Sequence, residues 1–329
     1  MSSEWEENIL KPKIYATLPI PTDVEKFLSE YCEVRKWIGE DRISRETLLQ
    51  DIKDVNGLLT SGIRIDDDLL ENAPNLKVVS NVSVGFNNFN IEAMKQHNVI
   101  GTNTPYVLDE TVADLTFALI LASARRIAEL DRFVKDGNWN PTKDDQLVFG
   151  LDVHSSTIGI IGMGRIGEAV ARRAKFGFNM DVLYYNRNRK PEAEEKYEAE
   201  YCNLDSLLER SDFIVLLTPL TPETEHFIGE REFALMKKST FFINVSRGKT
   251  VDEAAMIRAL ENKEIYGAGL DVFQKEPVEK DNPLLKMPNV VTVPHIGSAT
   301  KKTRDAMIMR AAQNIVSALT GKGAIDSVY

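Results

Sequence analysis

The sequence predicts an α/β protein of two doubly wound domains, each built on a parallel sheet. Three observations carry this. Short apolar runs alternate with helical periods along nearly the whole chain, and such alternation implies parallel sheets covered on both faces. Residues 157–190 run in the order strand, glycine-rich turn, helix, strand. The 329 residues include no low-complexity segment and suffice for two separate cores.

Taken in order, the first part offers a strand at Ile14 to Ala16, a helix near Asp23 to Tyr31, a strand at Glu33 to Trp37 and a helix near Ser44 to Ile52. Strands at Val55 to Thr60 and Leu76 to Asn81, a helix at Ile91 and a short strand at Val99-Ile100 follow. Ligands in such sheets bind beyond the carboxyl ends of the strands. The loop Ser83-Val84-Gly85-Phe86 is therefore a candidate substrate contact through its backbone amides, the other reading being a plain turn before the next helix. Asn103-Thr104-Pro105 breaks the pattern, and Asp109-Glu110-Thr111 opens a long apolar helix to about Asp136, ended by Gly137 and Pro141. That helix is apolar on several faces, so it belongs inside the second domain or at a subunit interface. Trp139 to Gly150 reads as an irregular polar connection.

The second part continues with strands at Phe213 to Thr218, Phe241 to Val245, Ala268 to Val272 and Val290 to Val293, and helices near Leu204 to Arg210, Phe233 to Lys237 and Glu253 to Glu261. A last helix near Thr303 to Leu319 has one apolar face and Gly321 just past its end. It packs most simply on the first domain.

Within Thr157 to Lys190, Gly162, Gly164 and Gly167 give G-x-G-x-x-G spacing. In that setting the first glycine permits a tight turn, the second admits a pyrophosphate and the third lets helix and strand pack closely, with helix N-terminal amides facing the phosphates. Asn186 falls nineteen residues after Gly167, where such folds place the residue that reads the adenosine ribose. An acidic residue there selects NAD. This chain instead presents Asn186, Arg187, Arg189 and Lys190, a cationic fork suited to a phosphate dianion, so NADP(H) is the preferred cofactor, with NAD(H) also accommodated.

Hydrophobic residues at 43% and charged residues at 27% are ordinary for a globular protein. A net charge of −10 argues against nucleic acid as main partner. The apolar stretch Leu115 to Ala122, bounded by Asp114 and Arg125-Arg126, is too short to span a membrane. The N-terminus lacks the regions of a signal peptide, so a cytoplasmic protein is expected. Cys32 and Cys202 lie far apart and read as free thiols, and no His-x-x-x-His or Cys cluster suggests a metal.

Three strand ends present ionisable residues: Val245-Ser246-Arg247-Gly248, Leu270-Asp271 through Glu276-Pro277, and Pro294-His295-Ile296-Gly297-Ser298. Hydride transfer to a carbonyl leaves negative charge on oxygen and needs a proton donor near neutral pH, which makes His295 the candidate. Glu276 is its candidate partner and Arg247 a candidate carboxylate clamp. His97, His154 and His226 have no comparable setting.

Those motifs, with Pro219-Leu220-Thr221, Asn244 and Ala299-Thr300, resemble the D-isomer-specific 2-hydroxyacid dehydrogenases over nearly the whole chain. Within that family the chain is similar to the glyoxylate/hydroxypyruvate and 2-ketogluconate reductases, through Asp152-Val153-His154 and Tyr185-Asn186-Arg187. The resemblance implies a flavodoxin-like substrate domain from residues 1–103 and 295–329, a Rossmann dinucleotide-binding domain from 104–294, and a homodimer formed mainly through a helix near 109–136. It implies that Arg247 binds the substrate carboxylate and keto oxygen, that His295 is the acid/base with Glu276 its partner, and that Val84, Gly85 and Ser298 also meet the substrate. Arg165 and Ile166 of the glycine turn, Pro219, Val245 and Gly297 would line the cofactor, and Asp271 would hold the nicotinamide carboxamide. Trp139 is either a packing anchor or, as the resemblance implies, a wall of the partner subunit's pocket. The absence of an appended regulatory domain disfavours the phosphoglycerate dehydrogenase branch. A rival function is a dinucleotide-sensing, corepressor-like binding protein on the same fold.

Overall fold

The computed structural model describes residues 11–140 and 148–329. Pro141, expected to help end the long helix, and most of the expected polar connection lie outside the described residues. The chain forms two compact units, one from Met1–Leu108 with Thr300–Tyr329 and the other Asp109–Ala299.

In the first unit β1 (Lys13–Ala16), α1 (Thr22–Tyr31), β2 (Glu33–Lys36), α2 (Arg45–Asp51), β3 (Gly57–Thr60), α3 (Asp67–Asn72), β4 (Val78–Asn81), α4 (Ile91–Gln96) and β5 (Ile100–Thr102) alternate strictly. The sheet is parallel with order β2-β1-β3-β4-β5. β3 and β4 are buried at every residue, as central strands covered on both faces must be. Side-chain caps start the helices: Ser44, Asp66 and Asn90 each accept the amide three residues on.

The second unit opens with α5 (Asp109–Ala124) and α6 (Ile127–Lys135), where the sequence suggested one long helix. Arg126 sits at φ 54° and breaks it, its side chain bridging Glu129 and the Phe149 carbonyl. α5 buries Val112, Phe117, Leu119 and Ile120 inside its own unit, with Phe117 stacked on Phe178 at 4.9 Å. α6 buries nothing, and Gly137 at φ 73° ends it. There follow β6 (Thr157–Ile161), α7 (Arg165–Phe178), β7 (Asp181–Tyr185), α8 (Pro191–Tyr197), β8 (Glu200–Tyr201), α9 (Leu204–Arg210), β9 (Phe213–Leu216), α10 (Glu230–Leu235), β10 (Phe241–Asn244), α11 (Glu253–Glu261), β11 (Gly267–Leu270) and β12 (Val290–Thr292). Its seven described strands are all parallel, in the order β12-β11-β10-β9-β6-β7-β8, so the order in which strands are added reverses between β6 and β9. That reversal is the switch point at which doubly wound sheets bind ligands.

The last helix, α12 (Lys301–Leu319), returns to the first unit and covers β3 and β4 beside α1. Asn314, fully buried, ties its C-terminal half to the Asn103 carbonyl and to Asp326.

The units part at Leu108/Asp109 and Ala299/Thr300, not at 103/104 and 294/295 as expected, so His295, Gly297 and Ser298 belong to the second unit. The cause is local: Asp271, just past β11, accepts the amides of Ile296 and Gly297 and holds their turn against its own sheet. Among the described residues no helix is long and apolar enough to cross a membrane.

Candidate active site

At the C-terminal edge of the second sheet, β10, β11 and β12 are neighbours, and the loops leaving them lie side by side. Arg247, Glu276 and His295 ride on these loops in that order. Buried Asn244 ends β10 and builds the first turn: its side-chain Oδ1 accepts from the Ser246 amide and hydroxyl, and its Nδ2 donates to the Arg247 carbonyl at 3.1 Å. Thr250 Oγ1 donates to the same carbonyl at 2.6 Å. Arg247 is thereby fixed, with Nη1 donating to the Ser246 carbonyl. Burial pulls its guanidinium below the ordinary arginine value against the opposing charges of Glu276 and Asp271. It stays a cation all the same.

Gly248 shows why the next loop comes so near. A Cβ there would fall 1.9 Å from the Phe273 carbonyl carbon and oxygen, so only glycine lets the β10 and β11 loops touch. Beyond that contact Glu276 Oε1 accepts the Phe273 amide at 3.1 Å, and Oε2 lies 2.7 Å from His295 Nδ1. Burial would raise the Glu276 carboxyl, but the hydrogen bond and charge of His295, the Phe273 amide and the Arg247 charge outweigh it and hold it below the usual range.

His295 sits at φ 52°, its amide donating to the Asp271 and Val293 carbonyls. With Nδ1 facing a carboxylate, Nε2 is the nitrogen left to exchange a proton. Both Asp271 oxygens accept backbone amides, Ile296 at 2.6 Å and Gly297 at 2.9 Å. Burial raises this carboxyl, while the Ile296 amide, the His295 charge and the Gly297 amide oppose the rise. Its observed work is to hold the His295 turn. Ser298 is half-buried on that turn.

The glycine turn meets each requirement of a phosphate cradle. Gly162 has φ 108° and packs on the Leu217 carbonyl. Gly164 caps α7 with no side chain, and a Cβ there would meet nothing within 4 Å, so open space faces the first-turn amides of Arg165, Ile166 and Gly167. A Cβ on Gly167 would strike the Gly162 carbonyl oxygen at 2.4 Å. Beside the turn, Thr218 Oγ1 is buried and takes no hydrogen-bond partner among the described residues. An open cradle of amides with an orphaned hydroxyl fits a dinucleotide. Arg165 is held by Asp109 at 3.2 Å. Pro219 is exposed on the loop after β9, and Val245 is buried at the end of β10.

The basic fork is not uniform. Arg189 is committed to Glu194 through two hydrogen bonds of 2.7 and 2.6 Å. Asn186 donates to the Asn188 carbonyl, while Arg187 and Lys190 are exposed, their side chains making no hydrogen bond among the described residues. Arg187 does have an acidic neighbour at longer range: the Glu223 carboxyl is held below its usual value first by the Thr221 hydroxyl and least by the Arg187 charge. A run of like charges signals a basic loop but not which members are already paired.

In the first unit, Asn103 holds the Val84 carbonyl and Asn81 the Gly85 carbonyl, each at 2.8 Å. The amides of Val84 and Gly85 donate to nothing among the described residues. Their pinned carbonyls turn the amides into candidate anion donors. Trp139 is 64% exposed, so it is no packing anchor among the described residues of its own chain.

Residues to which sequence reasoning gave no role are mostly supports: Asn244, Thr218, and Glu253, which accepts the Gln274 amide and the Asn282 side chain and so pins the loop carrying Glu276. Only Asn244, a polar residue ending an apolar strand, left a readable signal.

Residues 117–297 match the family described as D-isomer specific 2-hydroxyacid dehydrogenase, NAD binding domain. Glyoxylate/hydroxypyruvate reductase B of Enterobacter sp. (strain 638) is 46% identical over 315 residues, 95% of this chain and 96% of that protein. A solved protein of Thermus thermophilus superposes with TM-score 0.88 at 36% identity, covering 96% of this chain and 100% of that one. An NADPH-dependent glyoxylate/hydroxypyruvate reductase of Sinorhizobium meliloti, solved with NADP and malonate, superposes with TM-score 0.84 at 30% identity and 97% coverage of each chain. With the glycine cradle, the three adjoining strand-end loops and identity at this level over almost its full length, the chain belongs to the D-isomer-specific 2-hydroxyacid dehydrogenase family.

Proposed function

We propose that this chain reduces small 2-oxo acids, among glyoxylate, hydroxypyruvate and 2-keto-D-gluconate, to D-2-hydroxy acids, preferring NADPH and accepting NADH. The observation that carries this reading is the His295–Glu276 pair at 2.7 Å, on the loops after β12 and β11, next to the β10 loop that holds Arg247. The dinucleotide, when bound through the glycine turn, supplies the hydride. Arg247 clamps the substrate carboxylate and polarises the keto oxygen, a task for which its fork of donors is suited. His295 gives its Nε2 proton to that oxygen as negative charge develops there. Glu276 holds the imidazole by Nδ1 and stabilises the cation from which the proton leaves. Ser298, on the same turn as His295, adds a hydroxyl for the substrate within this unit, and the open amides of Val84 and Gly85 in the first unit are suited to a carboxylate. Each Asp271 oxygen keeps a second lone pair, so a contact to the nicotinamide carboxamide is compatible with its bonds to the turn. Turnover of a 2-oxo acid panel with both cofactors tests the reading; no turnover of any would leave only a dinucleotide-binding protein.

NADPH preference rests on the absence of an acidic residue after β7 and on Arg187, and is supported by the NADPH dependence of the Sinorhizobium relative. Arg187→Ala should weaken NADPH by about 1.5–3 kcal/mol, the worth of a charged hydrogen bond, and leave NADH almost unchanged. Equal losses for both would show that Arg187 does not read the 2′-phosphate.

A homodimer is part of the same proposal. α6 and the segment after it expose Ile127, Val134, Trp139 and Phe149, a stripe a second copy of the chain would cover. We place Trp139 in the partner's substrate pocket. Trp139→Ala should then shift the kcat/KM ratio between hydroxypyruvate and a bulkier 2-oxo acid by about 1–3 kcal/mol, with a smaller loss of stability. An unchanged substrate ranking with a lower Tm would return Trp139 to a packing role.

A further inference from the structure

The loop from Asn186 to Lys190 is held by a buried residue that the phosphate reading does not use. Tyr184 of β7 is fully buried, and its hydroxyl accepts the Lys190 amide at 2.7 Å while donating to Glu194 Oε1 at 2.7 Å. Glu194, in the first turns of α8, spends its remaining capacity on Arg189, as a fork-to-fork pair. The carboxylate thus has a fixed position. Of the three cations in the loop, Arg189 is neutralised by a bonded carboxylate, while Arg187 and Lys190 keep their donors open.

We propose that Glu194 determines how strongly the chain favours a 2′-phosphorylated dinucleotide, by neutralising Arg189 so that only Arg187 and Lys190 are left to meet the phosphate. The inference rests on the NADPH reading and deepens it. A dianion met by two cations is bound, but less tightly than by three, and a ribose with free hydroxyls is indifferent to the third. Glu194 in this way preserves use of both cofactors. The hydrogen bonds of Arg189, and after them the Tyr184 hydroxyl, hold the Glu194 carboxyl at about 2, so the pair persists across the neutral range. Because Arg189 lies at the surface, the effect is modest and sensitive to salt.

The test is calorimetric binding of 2′,5′-ADP and 5′-AMP to the full chain, as wild type, Glu194→Gln, Arg189→Ala and the double variant. Glu194→Gln is expected to bind 2′,5′-ADP about fivefold more tightly with 5′-AMP unchanged, the gain shrinking as salt rises. Arg189→Ala alone leaves the Glu194 charge unpaired and should weaken 2′,5′-ADP several-fold with 5′-AMP unchanged, and the double variant should return to within about twofold of wild type for both probes. No gain in Glu194→Gln, an equal gain for both probes, or a double variant that binds 2′,5′-ADP selectively and far more weakly than the wild type overturns the inference while the NADPH reading stands. Equal binding of the two probes by the wild type overturns the reading and the inference together.

Discussion

His295→Ala is expected to lower kcat by about a hundredfold or more, because hydride transfer then lacks its proton donor. NADPH binding, followed by fluorescence titration, should survive, since the glycine turn is built from other strands of the sheet. The backbone supplies a control. His295 lies at φ 52°, a region that asparagine tolerates better than alanine, so His295→Asn removes the acid with less strain. Both variants should lose kcat alike, with Tm falling less in the asparagine one. Near-wild-type kcat in either would remove His295 from its role. The Glu276 pair adds a sign on the pH axis: with the Glu276 carboxyl held below its usual range, its contribution is complete above the ordinary carboxylate value and is lost as pH falls through the lowered one.

Much of this site was legible because strand ends leave strong local signals. Each candidate catalytic residue stands three to six residues beyond a largely apolar or β-branched strand, and an open parallel sheet brings such ends to one edge whatever the loops do. The helices Leu204–Arg210 and Glu253–Glu261 were equally plain, each beginning after a capping residue, Asn203 or Asp252. What escaped depended on pairing across space. The break at Arg126 has no glycine or proline to announce it and is held by an arginine reaching Glu129 and the Phe149 carbonyl. α3 is six residues long and β8 two, too short for a period to show. The neutralised Arg189 looks in sequence like its neighbours. Asp271 reads as a ligand residue, and its support of the turn that carries His295 left no sign in the sequence.

Gly248→Ala is the substitution whose effect the structure enlarges most. In sequence this glycine merely follows the candidate arginine; in the fold it is where the loops carrying Arg247 and Glu276 meet, its absent Cβ leaving room for the Phe273 carbonyl and the Gln274 amide. A methyl group placed 1.9 Å from a backbone carbonyl cannot be relieved by a rotamer, so one loop must move. Moving the β10 loop displaces Arg247, whose carbonyl is held by Asn244 and Thr250; moving the β11 loop displaces the Phe273 amide that holds Glu276, and with it His295. Either way donor and clamp lose register by about an ångström, a misplacement that costs roughly a hundredfold in rate. Overpacking adds about 1–3 kcal/mol of lost stability. The expected result is kcat/KM down by about two orders of magnitude or more together with a lowered Tm, while 5′-AMP, bound at the far side of the sheet's switch point, keeps its affinity in the folded fraction. A Gly248→Ala enzyme with normal kcat/KM and Tm would mean that the two loops are not in contact in solution, and the coupling of Arg247 to the His295–Glu276 pair through this glycine would have to be given up.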